Sequence, residues 1–152
     1  MIEGTAMSRP EIGTIIRQDV FRLNELPDAR YGVFAWQQGV HNDRNDGGEI
    51  SYRFTLFYVD RLAEGRRNEI EVQSAALVSL GGILRTLSED GALGLADGWT
   101  FTTFAQRFSD LCAGAYAEVT VTASPDALCP DMFGDYNDDF NEDYDKGILT
   151  RK

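Results

Sequence analysis

Six charged side chains crowd the stretch LFYVDRLAEGRRNE at residues 56–69: Asp60, Arg61, Glu64, Arg66, Arg67 and Glu69. Three chemistries suit such a set: acid–base work by a paired carboxylate and cation, anion capture, or a solvated, salt-bridged corner. Asp60 and Arg61 are adjacent on an expected strand, so their side chains leave on opposite faces and do not form a simple catalytic pair. Arg66 and Arg67 precede a helix start, where anions bind. Glu69 and Glu71 already occupy that electropositive end and weaken the anion reading. A solvated corner fits best, with an inter-subunit salt-bridge role next.

Other reactive residue types are few. The single histidine, His41, sits in the polar stretch HNDRNDGGE and reads as a solvated loop residue. A catalytic histidine needs a positioned carboxylate and a pocket. Cys112 and Cys129 have no metal-ligand spacing. Two isolated thiols point to a reduced, cytosolic place of assembly, with a disulfide between them less favoured; Cys112 reads as a buried structural thiol. LGGIL lies inside a helical pattern and GALGLADG lacks a lysine, so neither is a phosphate loop. Aligning Asp135 with the first EF-hand ligand puts Phe140 at the glycine position and Lys146 at the glutamate position, and the calcium pattern fails. No catalytic, cofactor or metal residues are expected.

The elements that would carry these residues follow from periodicity. Ile12, Ile15, Ile16, Val20, Phe21 and Leu23 recur at helical spacing, predicting an amphipathic helix over residues 10–26 that starts near Ser8 and ends at Pro27. YGVFAWQQGV, residues 31–40, reads as a strand. Residues 49–62 alternate, with Ile50, Tyr52, Phe54, Leu56 and Tyr58 on one face and Ser51, Arg53, Thr55, Phe57 and Val59 on the other. That strand would span roughly 40 Å, and with its predecessor predicts a long projecting hairpin. Asn68 and Glu71 have the form of a capping box opening a helix to about Ser88. Gly81 and Gly82 interrupt it, each at about 1 kcal/mol relative to alanine, and suggest close approach to a sheet or neighbour. Residues 99–108 and 115–123 alternate as two more strands, joined by the turn SDLCAG.

After Ser124 the character changes. Eight acids fall between Asp126 and Asp145, interleaved with Phe133, Tyr136, Phe140 and Tyr144. Little periodicity remains, which predicts a flexible acidic arm over 124–152. The whole reads as α+β: residues 1–123 form a two-layer sandwich, an antiparallel sheet of two hairpins packed by two helices, and 124–152 are an appended arm.

The net charge of −11 disfavours direct binding to phosphate backbones or anionic membranes. MIEGTAMSRPEIG lacks a basic segment followed by an apolar one, so no signal peptide is expected. No apolar run of the roughly 20 residues a membrane helix needs is expected either.

YRFTLFYVDRL followed by NEIEVQSAAL, and TFAQRFSDLCAGAYAEV, resemble segments of small virion proteins from gut tailed bacteriophages, crAss-like phages among them. YVDRL, the VQS helix start (Val72 to Ser74) and the CAGAY turn (Cys112 to Tyr116) carry the likeness over residues 30–123. The helix–hairpin–helix–hairpin arrangement is similar to the tail terminator and neck (head–tail connector) proteins of tailed phages. The resemblance implies a structural virion protein in a homo-oligomeric ring in the neck or tail, with neighbouring neck or tail proteins as partners, no cofactor and no catalysis. Interface contacts would come from the 31–62 hairpin, including Tyr58, from the corner at Asp60, Arg61, Arg66 and Arg67, and from Phe133, Tyr136, Phe140 and Tyr144. The alternatives are a small α+β metal- or ligand-binding enzyme, or an acidic adaptor that mimics nucleic acid.

Overall fold

A computed structural model gives the fold and describes residues 2–39, 43–44, 50–89, 94–95, 98–105, 111–123, 139–143 and 147–152. The chain is α+β, built on a mixed sheet. In order it runs α1 (Ile2–Met7), β1 (Thr14–Arg17), a 3-10 helix (Val20–Glu25), β2 (Val33–Gln38), β3 (Asp43–Arg44), β4 (Ile50–Arg61), a 3-10 turn (Glu64–Arg66), α2 (Glu69–Glu89), β5 (Gly94–Leu95), β6 (Thr100–Ala105), β7 (Cys112–Ala123), β8 (Phe140–Asp143) and β9 (Ile148–Arg151). The strands lie in the order β5-β7-β4-β2-β1-β9-β8, with β3 on β4 and β6 on β7.

β4 is the centre. All twelve of its residues pair antiparallel with β7, from Ile50↔Ala123 to Arg61↔Cys112. Its other edge holds β2, from Val33↔Val59 to Gln38↔Phe54, and then β3, with Asp43↔Ser51. Up to Ile50 the expected hairpin is therefore flanked on both sides within the sheet; its tip, residues 45–49, lies outside the described residues. The alternation read from the sequence holds. Phe54, Leu56 and Tyr58 join the core under the helices, while Phe57 and Val59 join a second cluster on the opposite face.

The expected helix over 10–26 is corrected. Thr14–Arg17 is a strand parallel to β2, Thr14↔Val33 to Arg17↔Trp36. Ile15 packs into the helix-side core and Ile16 into the opposite cluster. A strand buried on both faces is apolar in consecutive positions and so mimics helical spacing. Gln18, at φ 70°, breaks the strand. Asp19 Oδ1 then accepts from the Phe21 amide at 2.9 Å and starts the short 3-10 helix, whose Val20 and Leu23 seal the second face. The first true helix lies earlier, at Ile2–Met7.

The acidic arm is corrected for part of its length. β9 pairs antiparallel with β1, Thr14↔Thr150 to Ile16↔Ile148, and β8 pairs with β9. Phe140, Ile148 and Leu149 are buried. Residues 140–143 and 148–151 thus belong to the same sheet as the body, and the boundary at 124 separates two stretches of one sheet. Residues 124–138 lie outside the described residues.

α1 and α2 cover one face. α2 buries Val72, Ala76, Leu80, Ile83, Leu84 and Leu87 at spacings of three and four, each large side chain contributing about 1.5–3 kcal/mol of transfer free energy. Its 21 residues and mean hydropathy of 1.2 meet the length and composition of a spanning helix, contrary to the sequence reading, with 39% of that apolar window buried against the protein.

Candidate interaction surfaces

The corner that links β4 to α2 is built from backbone alternation. Even positions of β4 face the helices, so Tyr58 and Asp60 turn inward and Arg61 turns outward. Tyr58, expected at an interface, is 3% exposed. Burial, above all, raises its phenol from 10.0 to about 12; the negative charges of Asp60 and Glu11 add to this, and a hydrogen bond with Ser79 opposes it. Ser79 in turn donates to Glu11 Oε1 at 3.0 Å. A strand residue aimed under a covering helix cannot reach a neighbouring subunit, so Tyr58 is a core residue.

Burial also raises the Asp60 carboxyl, while the Arg61 amide and guanidinium pull it back down. Asp60 Oδ1 accepts from that amide at 2.7 Å. The Arg61 guanidinium sits 4.5 Å from the centre of the Tyr31 ring, and the Tyr31 hydroxyl accepts from Cys112 Sγ at 3.4 Å. Cys112 is buried, as expected of a structural thiol.

Arg66 holds φ 57°, beside Gly65 at φ 73°. An arginine in the left-handed region is uncommon and strained. Its guanidinium is tied to Glu69, with Nε at 2.7 Å from Oε2. Arg67 Nε donates to the Glu64 carbonyl at 3.2 Å. Arg61, Arg66 and Arg67 thus all have partners in their own chain, in keeping with a solvated, internally paired corner. Asn68 does not close the expected capping box. Its Oδ1 accepts from the Ala63 amide at 2.6 Å and its Nδ2 donates to the Arg61 carbonyl at 3.4 Å, tying the start of α2 to the end of β4.

Phe140, expected as an exposed anchor, is buried, and the Arg151 guanidinium lies 4.7 Å from its ring centre. Phe133, Tyr136 and Tyr144 lie outside the described residues, as do His41 and Cys129.

Three surfaces escape a reading based on reactive residue types. The first is the pair of sheet ends. Among the described residues β6, TFTTFA, pairs only with β7, and β8 pairs only with β9. β6 carries no charge and no proline, the devices that usually blunt an edge. The second is the half of the sheet face opposite the helices that the 3-10 helix leaves open. There Thr100, Thr102, Thr55, Thr120, Glu118 and Arg53 lie on aligned positions of β6, β7 and β4. The third is the outer side of α2, where Ile70 and Val78 are 78% and 73% exposed. Its sequence signal was available: no charged residue occurs from Val72 to Leu84.

Two further features bear on chemistry. A groove of about 630 Å³ runs between Arg22, Glu25 and Asp28 on one side and Ile148 and Thr150 on the other. It is open to solvent. Among the described residues no three His, Cys, Asp or Glu side chains converge as a metal site. No family model, no curated protein and no solved structure matches the chain.

Proposed function

We propose that the chain is a non-enzymatic structural protein of a tailed-bacteriophage virion that assembles as a homo-oligomeric ring in the neck or tail, as tail terminator or head–tail connector. The observation that carries the reading is the inequality of the two sheet ends. β6 offers a neutral edge rich in threonine and phenylalanine. β8, with Asn141 and Asp143 exposed, offers a short acidic one. Two different edges, each unpaired on its outer side among the described residues, are suited to head-to-tail contacts, which close into rings when the rotation per subunit divides a circle. The resemblance over residues 30–123 supports the same reading.

Within it, the helices and the sheet make up a two-layer body, and the 31–62 hairpin contributes contacts to a neighbouring subunit. Residues 124–138, with Phe133 and Tyr136 among acids, dock on an adjacent neck or tail protein. The acidic chain lines a conduit from which passing DNA is repelled rather than bound. Neither a membrane nor a cofactor takes part, and the place of action is the virion, assembled in the host cytoplasm.

Mass photometry of the purified protein tests the reading, together with cryo-electron microscopy of assembled particles. A ring gives a single mass at a fixed multiple of 16.9 kDa. A chain that stays at one copy and binds no other virion component overturns it.

A further inference from the structure

The outward meridian of α2 carries a self-complementary charge pattern. Glu71, Ser74, Val78, Gly81 and Arg85 follow one another at steps of three, four, three and four, so they lie along one stripe. The buried face of the helix points the other way, through Val72, Ala76, Leu80, Ile83 and Leu87. Val78 stands at the middle. Seven residues before it is Glu71 and seven after it is Arg85. Eleven after it is Glu89, and eleven before it, two residues ahead of the start of α2, is Arg67. Read in either direction from Val78, each charge meets the opposite charge at the same distance. Arg67, Glu71, Val78, Arg85 and Glu89 are all exposed. Arg85 reaches Glu89 at 2.8 Å within its own helix, a pair 78% and 62% exposed that can take a further partner.

We infer that the outer face of α2 docks antiparallel on α2 of a second copy of this chain, across a two-fold axis at Val78. In that arrangement Val78 meets Val78 of the copy. Glu71 meets Arg85 of the copy, and Arg67 meets its Glu89, each contact occurring twice. Ala75 falls opposite Gly81, and these small residues let the two backbones approach. Ile70 and Leu77 lie on the shoulder towards β6, and Arg9 fills the opposite shoulder beside Gly82. Like charges coincide nowhere in this register, and a parallel pairing would set every charge on its own kind. That difference selects both the partner and the orientation.

A two-fold contact stops at two copies, whereas a ring contact propagates. The α2 contact is therefore independent of the proposed ring and would join two chains, or two rings, back to back. One helix pair is small beside a standard interface of about 1,600 Å², so isolated chains associate weakly and rings strengthen the contact by avidity.

Charge exchange tests it on the full chain by analytical ultracentrifugation at up to about 100 μM, a range that reports micromolar association. Glu71→Arg and Arg85→Glu, each alone, place like charges together twice and should weaken self-association by about tenfold or more. An equimolar mixture of the two variants restores opposite charges at every contact and should recover wild-type association. Val78→Asp should abolish it without lowering the melting temperature, because Val78 is outside the core. Oxidised Val78→Cys in a Cys129→Ser background should give a dimer whose disulfide joins the introduced thiols of the two copies, identified by mass spectrometry of the linked peptide. If the mixture fails to restore association, or Val78→Cys yields no such link, the inference is overturned. Loss of the ring alone leaves that disulfide link in place, and loss of the α2 contact alone leaves the ring mass in place.

Discussion

Arg17 of β1 grips Glu3 of α1 at two points, Nε to Oε1 at 2.6 Å and Nη2 to Oε2 at 2.9 Å, and the Trp36 indole adds a third donor to Oε1 at 3.0 Å. Glu3 is 1% exposed. A carboxylate taken this far from water is tolerable only because all three donors converge on it. The cluster fixes the first helix to the sheet across its helix-side face. Glu3→Ala removes two hydrogen bonds from the Arg17 guanidinium and the acceptor of the Trp36 indole. It should cost about 3–5 kcal/mol, read as a drop in the urea midpoint. Arg17→Met added to Glu3→Ala should cost less than the sum of the two single changes, because both remove the same pair of hydrogen bonds.

Backbone closeness at β7 gives a second test. A Cβ at Gly114 would collide with the Tyr58 carbonyl and lie 3.1 Å from Phe104 Cζ. The obstacle is the backbone of a paired strand, which cannot step aside. Gly114→Ala should destabilise by about 1–3 kcal/mol or more. Gly4 is the contrast. It lies in α1 with nothing within 4 Å of its Cβ position, so Gly4→Ala should stabilise by about 0.5–1 kcal/mol through helix propensity and the unfolded chain. Thermal melts of both variants check the pair of signs together.

How much of this was readable beforehand depends on how local each signal was. The strict alternation from Ile50 to Val59 and the helical spacing of Ile70, Ala76, Leu77, Leu80, Ile83, Leu84 and Leu87 are local, and both elements stand where the sequence puts them, although Ile70 and Leu77 of that set are exposed. The Thr14–Arg17 strand was not readable, because it is paired by a parallel neighbour nineteen residues on, Thr14↔Val33, and its two faces are covered by separate clusters, Ile15 on one side and Ile16 on the other. β8 and β9 were hidden for a similar reason. FNED is a poor strand on propensity, and it is held by β9, itself placed by the distant β1. Residue type alone sends Tyr58 and Phe140 to an interface, because it says nothing of which face of a strand is covered. The buried role of Glu3 and the bond from Ser79 to the exposed Glu11 were invisible, since the partners Arg17, Trp36 and Ser79 come from separate elements.

The Tyr58 environment predicts an alkaline signature. The folded phenol keeps its proton to about pH 12 and the unfolded one only to 10.0. The stability it contributes is whole below pH 10 and is lost as pH rises through 12. That difference corresponds to roughly 2–3 kcal/mol. Urea midpoints between pH 9 and pH 12 should therefore fall more steeply for the wild type than for Tyr58→Phe. Asp60 behaves in a related way at lower pH. Its carboxyl is raised by burial, so its favourable contribution exists at low pH and fades as pH rises through the folded value. Asp60→Asn keeps the acceptor for the Arg61 amide and should raise the midpoint at neutral pH, with no gain under acidic conditions. The same change should lower the Tyr58 titration, followed by tyrosinate absorbance, because Asp60 is the larger of the two negative influences acting on it.

The edge of β6, unpaired on its outer side among the described residues, allows the ring to be separated from the fold. Thr102 and Thr103 are exposed and point to opposite faces of that strand, and neither packs into the core. Lysines there leave the β6–β7 pairing of Thr102↔Tyr116 and Thr103↔Ala115 in place but put a charge on each side of the edge, the device by which natural edge strands repel a further strand. Thr102→Lys with Thr103→Lys should change the melting temperature little, since surface substitutions away from special features usually stay within about 0.5 kcal/mol. The ring mass in mass photometry should give way to single chains, or to α2-linked pairs. If the double variant melts like the wild type and keeps the full ring mass, the β6 edge is not a ring contact, and the inequality of the two sheet ends no longer supports head-to-tail assembly.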